Sequence, residues 1–174
     1  MPNLKQFSAL TCAVGLVTCL CAYAPSRAQT TPSANEMVEQ LKPAPRTRSL
    51  RNLTVESSAP EAKPSLSLLI QFDFNSAKVK PESQQALSNL AQALQSKDLL
   101  ASTFAVEGHT DAKGRADYNL KLSQQRADAV RNYLASSGVL DSRLNAVGKG
   151  STELANTADP LAADNRRVRI VNLN

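Results

Sequence analysis

An α/β two-layer sandwich, with helices packed on one face of a small mixed sheet, is the fold this sequence predicts. Two observations carry the prediction. Runs of aliphatic, β-branched and aromatic residues recur at Ser65–Phe74, Thr103–Glu107, Leu144–Gly148 and Val168–Leu173, the composition of strands. Between them lie two longer stretches with apolar residues at helical spacing, so the elements follow as β-α-β-α-β…β, the order of strands linked by helical crossovers. Right-handed crossovers then put both long helices on the same side of the sheet.

The chain opens on a stretch that reads as a secretory signal. Residues 1–28 carry one early lysine, an apolar run from Phe7 to Tyr23, and a small-x-small site at Ser26-Arg27-Ala28, which predicts cleavage before Gln29. Pro25 disfavours the earlier Ala22-Tyr23-Ala24 site. Leu16-Val17-Thr18-Cys19 has some of the character of a lipobox, but the threonine beside Cys19 argues against lipid attachment there. Cys12, Cys19 and Cys21 all lie in this segment, so the mature chain has no thiolate nucleophile, disulfide or cysteine metal site. Lys5 and Arg27 leave with the segment and no acid does, which takes the formal charge from +5 to about +3. Lys and Arg are interspersed with Asp and Glu, and no aromatic residue sits in a basic stretch. Nucleic acid is therefore not an expected partner.

Residues 29–65 read as a Pro- and Arg-rich linker, mostly extended, bracketed by Pro43, Pro45, Pro60 and Pro64. Within it, Glu36–Lys42 has a narrow apolar edge suited to two helical turns that would be marginal alone, and Leu50–Val55 is a candidate strand. Arg46, Arg48 and Arg51 offer a basic contact surface for anionic phospholipid, lipopolysaccharide or an outer-membrane or envelope protein partner; the plainer reading is a solvated linker.

The predicted domain is residues 66–174, folding and binding by itself. Its first strand, to Phe74, is apolar enough to be central or well covered. Lys80-Pro81-Glu82 opens a helix through Leu94, with Ala86, Leu87, Leu90, Ala91 and Leu94 on one face. A second helix runs from Tyr118 to Ser137, with Asp117 as its N-cap and Gly138 as a left-handed C-terminal stop.

That second helix carries the unusual feature. Its apolar arc is centred near Val130 and includes Ala127, Tyr133 and Leu134, yet Asn119, Ser123 and Arg126 fall within the same arc. An arginine aimed at the core needs a carboxylate, either within the protein or on a ligand, because an unpaired guanidinium out of water costs several kcal/mol. Asp111 is placed to answer it, at a strand-to-helix turn that Ala112-Lys113-Gly114 shapes. An acid and a base on one rim can hold a zwitterion; an internal salt bridge between Asp111 and Arg126 is the alternative.

Gly108-His109-Thr110-Asp111, followed by Asn119-x-x-Leu122-Ser123-x-x-Arg126-Ala127-x-x-Val130-x-x-x-Leu134, resembles the signature of OmpA-like C-terminal domains. Phe72-Asp73-Phe74-Asn75-Ser76 and Asn165-Arg166-Arg167-Val168 extend the resemblance over roughly residues 67–174. It implies non-covalent, non-catalytic binding of peptidoglycan, with Asp111 and Arg126 holding the diaminopimelate of the stem peptide. Asn75 and Thr110 are further ligand-side candidates, and Asp73, Asn119, Leu122 and Ser123 supporting ones; Asp73 and Asn75 read equally well as turn residues. No cofactor is implied. The chain departs from the family pattern at Leu161-Ala162, where Gly-Arg is usual, and at Gly148-Lys149-Gly150-Ser151, where an aromatic and an acid are usual.

Enzymatic readings find little support. His109 is the only histidine, too few for a histidine metal site, and no serine is placed to make a triad with it. It reads as a structural residue hydrogen-bonded at a strand end. Asp73, Glu107 and Asp111 show no spacing that sets two of them across a sugar. Asn165, Arg166 and Arg167 read as structural. The rival to wall binding is a periplasmic protein-interaction module that uses the basic linker, with Asp111 and Arg126 as a structural pair.

Overall fold

The computed structural model describes residues 31–43 and 62–174, and four strands in it form one sheet in the order β1-β4-β2-β3. β1 (Ser65–Leu68) pairs antiparallel with β4 (Val168–Asn172), β4 pairs antiparallel with β2 (Phe104–His109), and β2 runs parallel to β3 (Leu144–Gly150). A parallel pair needs a crossover, and here it is α3 (Ala116–Ser136). α2 (Gln84–Leu94), entered through a 3-10 turn at Pro81–Ser83, leads from β1 towards β2. The mixed sheet and its helices are the α/β fold expected. The signal segment, the weighed lipid site at Cys19, the candidate strand 50–55 and the linker arginines lie outside the described residues.

Alternation builds the core. Leu66 and Leu68 of β1, Phe104 and Val106 of β2, and Val168 and Ile170 of β4 are buried in one cluster with Leu87, Leu90 and Leu94 of α2 and Val130 and Leu134 of α3. The opposite face of the sheet is polar: Glu107, Lys149 and Arg169 lie there with Glu153 in a loose network of ion pairs of 2.8–3.9 Å.

Three expectations are corrected. First, residues 34–41 of the supposed linker form a helix, α1 (Ala34–Leu41), that belongs to the folded unit. Ser33 caps it, its hydroxyl accepting from the Glu36 N–H while the Glu36 carboxylate accepts from the Ser33 N–H. Met37 and Leu41 are fully buried against the core. Asn172 Nδ2 donates to Leu41 O at 2.9 Å, Asn89 Nδ2 to Pro32 O at 2.9 Å, and Lys42 pairs with Asp98 at 2.7 Å. Tertiary packing supplies what a helix this short lacks by itself.

Second, the first strand ends at Leu68 and not at Phe74; of the two placements expected, central or well covered, β1 has the second, as an edge strand covered by α1. Beyond Leu68 the chain leaves the ladder; Ile70 stays buried, and Phe74 is 99% exposed. Third, Asp117 lies within the first turn of α3 and pairs with Arg115, which occupies the cap position without a side-chain cap bond. A carboxylate there still faces the positive end of the helix dipole.

α3 meets the sheet backbone to backbone. A Cβ on Gly108 would lie 2.2 Å from Ser123 O, and one on Gly148 2.6 Å from Gln124 N. Ser123 Oγ accepts from Gly150 N at 2.8 Å and donates to Leu120 O. The Gln124 amide accepts from Gly148 N at 2.7 Å and donates to Ala146 O at 3.2 Å, along the free edge of β3. At the far end of the domain, the buried Arg143 guanidinium donates to Ser102 O, Leu94 O and Leu99 O and lies over the Phe104 ring.

Candidate functional site

The close seat of α3 on β2 and β3 fixes the loop between β2 and α3. As β2 ends, Thr110 N–H donates to Gly150 O at 2.9 Å, and Ala112 N–H donates to Pro160 O at 3.0 Å. Asn119 Nδ2, buried in the first turns of α3, reaches back to Asp111 O and Lys113 O at 3.3 and 3.0 Å. Gly114, at φ 95°, makes the left-handed step that lets the loop close. The polar atoms of Asn119 and Ser123, expected as supporting residues, are used inside the protein. Leu122 is buried beside them. Thr110, expected on the ligand side, is 4% exposed, and its backbone N–H holds the chain to β3 just before Asp111.

Asp111 and Arg126 do not pair with each other. Asp111 Oδ2 accepts from Arg166 Nη1 at 2.8 Å, and Oδ1 accepts from the Lys113 N–H at 3.2 Å. Arg126 lies with its guanidinium carbon 4.8 Å from the centre of the Phe72 ring and donates from Nε to Ser76 O at 3.2 Å. Burial pulls the Arg126 pKa below the usual arginine value, and the nearby positive charge of Arg166 pulls the same way. The salt-bridge alternative is therefore corrected: the Phe72 face and the Ser76 carbonyl orient Arg126, while Arg166 takes the carboxylate. Among the described residues Arg126 makes no ion pair.

The 72–76 segment is a preformed turn. Phe72 bridges to Val79, Asp73 N–H donates to Lys78 O, and Ser76 N–H donates to Asp73 O. Asn75 sits at φ 54°, uncommon outside glycine. Its Oδ1 accepts from the Tyr118 hydroxyl of α3. Asp73 shapes the turn through its backbone, so its part is the turn role. Asn75 does both: it turns the chain and ties the turn to α3.

Arg166, which sequence reasoning assigns to structure, is the residue that pairs with Asp111 on the rim. Asn165 beside it is fully buried and organises the 156–165 loop through bonds to Asn156 and Asp159. Arg167, 9% exposed, donates to Glu153 O. Only Arg166 turns to the site. The Asn-Arg-Arg closing motif was the signal that could have found it.

His109 is buried and structural, though not hydrogen-bonded as expected: neither ring nitrogen has a partner among the described residues. Burial and then the charge of Arg167 lower its pKa to about 4, so it is neutral at physiological pH. Among the described residues no three His, Cys, Asp or Glu side chains gather to hold a metal ion. No described helix is long and apolar enough to cross a membrane.

Comparison with known proteins finds a family match over most of the domain. The family model described as OmpA family matches residues 71–168. The chain is 42% identical over 100 residues to outer membrane porin F of Pseudomonas aeruginosa, covering 57% of this chain and 27% of the porin. It is 39% identical over 100 residues to the peptidoglycan-associated lipoprotein of Brucella melitensis biotype 1, covering 56% of this chain and 58% of that protein. The solved peptidoglycan-associated lipoprotein of Burkholderia pseudomallei superposes with a TM-score of 0.51 at 35% identity, covering 61% of this chain and 88% of that one. The chain thus spans about a quarter of the porin and just over half of the Brucella lipoprotein.

Proposed function

The chain belongs to the OmpA family, and from that premise we propose that it binds peptidoglycan without covalent attachment or catalysis, and so ties itself to the cell wall in the periplasm or at the outer membrane. The observation that carries the proposal is Arg126: half-buried, held by a ring face and a carbonyl, and without a carboxylate of its own among the described residues. A guanidinium kept in that state presents its planar fork to an incoming carboxylate. Asp111 stands across the same rim, and its partner Arg166 is 48% exposed, so an ammonium group can join or replace that pair at small cost. The relatives named peptidoglycan-associated lipoprotein support wall binding as the role.

The finer reading is diaminopimelate. The free end of its side chain carries a carboxylate and an ammonium on one carbon, the zwitterion an acid and a base can clamp. Lysine at the same peptide position keeps the ammonium and lacks the carboxylate. Arg126 then stays partly desolvated without a partner, which weakens binding by roughly 2–4 kcal/mol, or about 30- to 1000-fold. Calorimetric titration with diaminopimelate-type and lysine-type stem peptides tests this. Arg126→Ala and Asp111→Ala should each lose most of the diaminopimelate affinity while keeping the wild-type melting temperature, and Arg126→Lys should recover little. Equal affinity for both peptides, or an Arg126→Ala chain that still pulls down with purified sacculi, would refute the clamp.

A further inference from the structure

Beside Arg126 lies a cavity of about 350 Å3 whose wall includes Gln71, Phe72, Lys80, Arg126, Asp164 and Arg166. Asp111 is not part of its wall, so the cavity shares Arg126 with the zwitterion clamp without including the clamp's carboxylate. Its charge is unbalanced. Three cations face it; Asp164 offsets one, and the carboxylate that Arg166 holds belongs to Asp111, outside the wall. Lys80, like Arg126, makes no ion pair with any described residue. Its backbone N–H donates to Gln71 O at 2.9 Å, next to the Phe72–Val79 bridge, so the base of the lysine is fixed on the cavity rim. Arg126 and Arg166 lie close enough for each charge to oppose the other, a cost that a negative group between them would remove.

Size narrows the occupant. At about 30 Å3 for each water in the liquid, the space holds roughly ten waters, so it fits a peptide residue better than a single small ion. The clamped end of diaminopimelate lies four carbon–carbon bonds from its main-chain carbon, so the carboxylate of the next residue lies roughly 6–10 Å from the clamped carbon, a span that a cavity beside Arg126 can take up. We propose that the cavity is a second anion subsite, in which Lys80 and Arg166 receive the free terminal carboxylate of the residue that follows the clamped one. Lys80 is then a specificity-determining residue that favours stem peptides ending there over ones whose end is amidated or otherwise blocked. This rests on the stem-peptide reading given above.

The test is calorimetric titration of the full chain with one tetrapeptide, L-Ala-D-γ-Glu-diaminopimelate-D-Ala, prepared as the free acid and as the C-terminal amide. Wild type should bind the free acid about tenfold more tightly, as expected for one charge-assisted contact. Lys80→Met keeps the aliphatic stem and should erase the preference while leaving amide affinity unchanged; Lys80→Arg should restore it. Equal binding of the two peptides by wild type, or a Lys80→Met chain that weakens both alike, overturns the subsite and leaves the clamp standing. If neither peptide binds, the clamp falls and the subsite with it.

Discussion

Leu41→Ala is a severe perturbation in a place where the sequence alone suggests none. Alanine is the best helix former, so the change spares α1 its backbone preference and removes only packing. Leu41 is fully buried beside Met37, and its carbonyl is held by the buried Asn172 side chain, which limits how far the helix can settle into the space left behind. Leucine-to-alanine changes at such sites cost about 2–5 kcal/mol, and poor collapse favours the upper half, about 3–5. Against a total stability on the order of 5–15 kcal/mol, that is a large fraction. Each kcal/mol moves the melting temperature of a folded unit this size by roughly 3–5 °C, so the midpoint should fall by about 10–20 °C. Urea and thermal unfolding followed by circular dichroism measure it, with Glu39→Ala as the control: that side chain is 72% exposed, and losing its pairing with Lys42 should cost no more than about 1 kcal/mol. Peptide binding well below the transition should not change. A Leu41→Ala chain that melts within two or three degrees of wild type (about 1 kcal/mol or less), or a chain beginning at Ala62 with an unaltered midpoint, would show that α1 is not part of the cooperative unit.

Three other perturbations probe different forces. Gly108→Ala puts a methyl 2.2 Å from Ser123 O and should push α3 off the sheet, costing about 1–3 kcal/mol or more, whereas Gly114→Ala meets open space and pays only left-handed strain of about 1–2 kcal/mol; denaturant midpoints rank the two. His109 is neutral when folded down to a pKa of about 4, against an ordinary value of 6.5, so the unfolded chain binds more protons between those values. Its contribution is complete above pH 6.5 and is lost as pH falls towards 4, by up to about 3 kcal/mol, and His109→Gln should flatten the stability profile in that window. Arg143→Ala removes the side-chain donor from the Ser102, Leu94 and Leu99 carbonyls, of which Leu99 O keeps the Ser102 N–H, and should destabilise by roughly 3 kcal/mol by urea unfolding, with Arg143→Lys a poor substitute for the fork.

What could be read in advance was what repeats along the chain or sits near its partner. The strands and the two long helices announce themselves through period, and the polar half of the α3 arc marks Asn119, Ser123 and Arg126 because a side chain's position on a helix follows from its number alone. Asp111 is legible for a similar reason, since a short loop ties it to that helix. Arg166 is not: it meets Asp111 across 55 residues, and nothing local separates it from Arg167, which points elsewhere. α1 is hidden in the same way. Its three buried side chains give only a narrow apolar edge, and the groove that stabilises it comes from β1, α2 and Asn172. The apolar first strand leaves two placements open because covering by a helix and pairing on both edges leave the same hydrophobic mark.

The amide of Gln124 imitates a passing strand. It offers one acceptor and one donor to Gly148 and Ala146, two residues apart and facing the same way, as the backbone of a fifth strand would. Another chain arriving at that border must displace both contacts before it can add a single rung. An unguarded border is a template for uncontrolled self-assembly, and here one glutamine, already anchored on a helix, stands in the way.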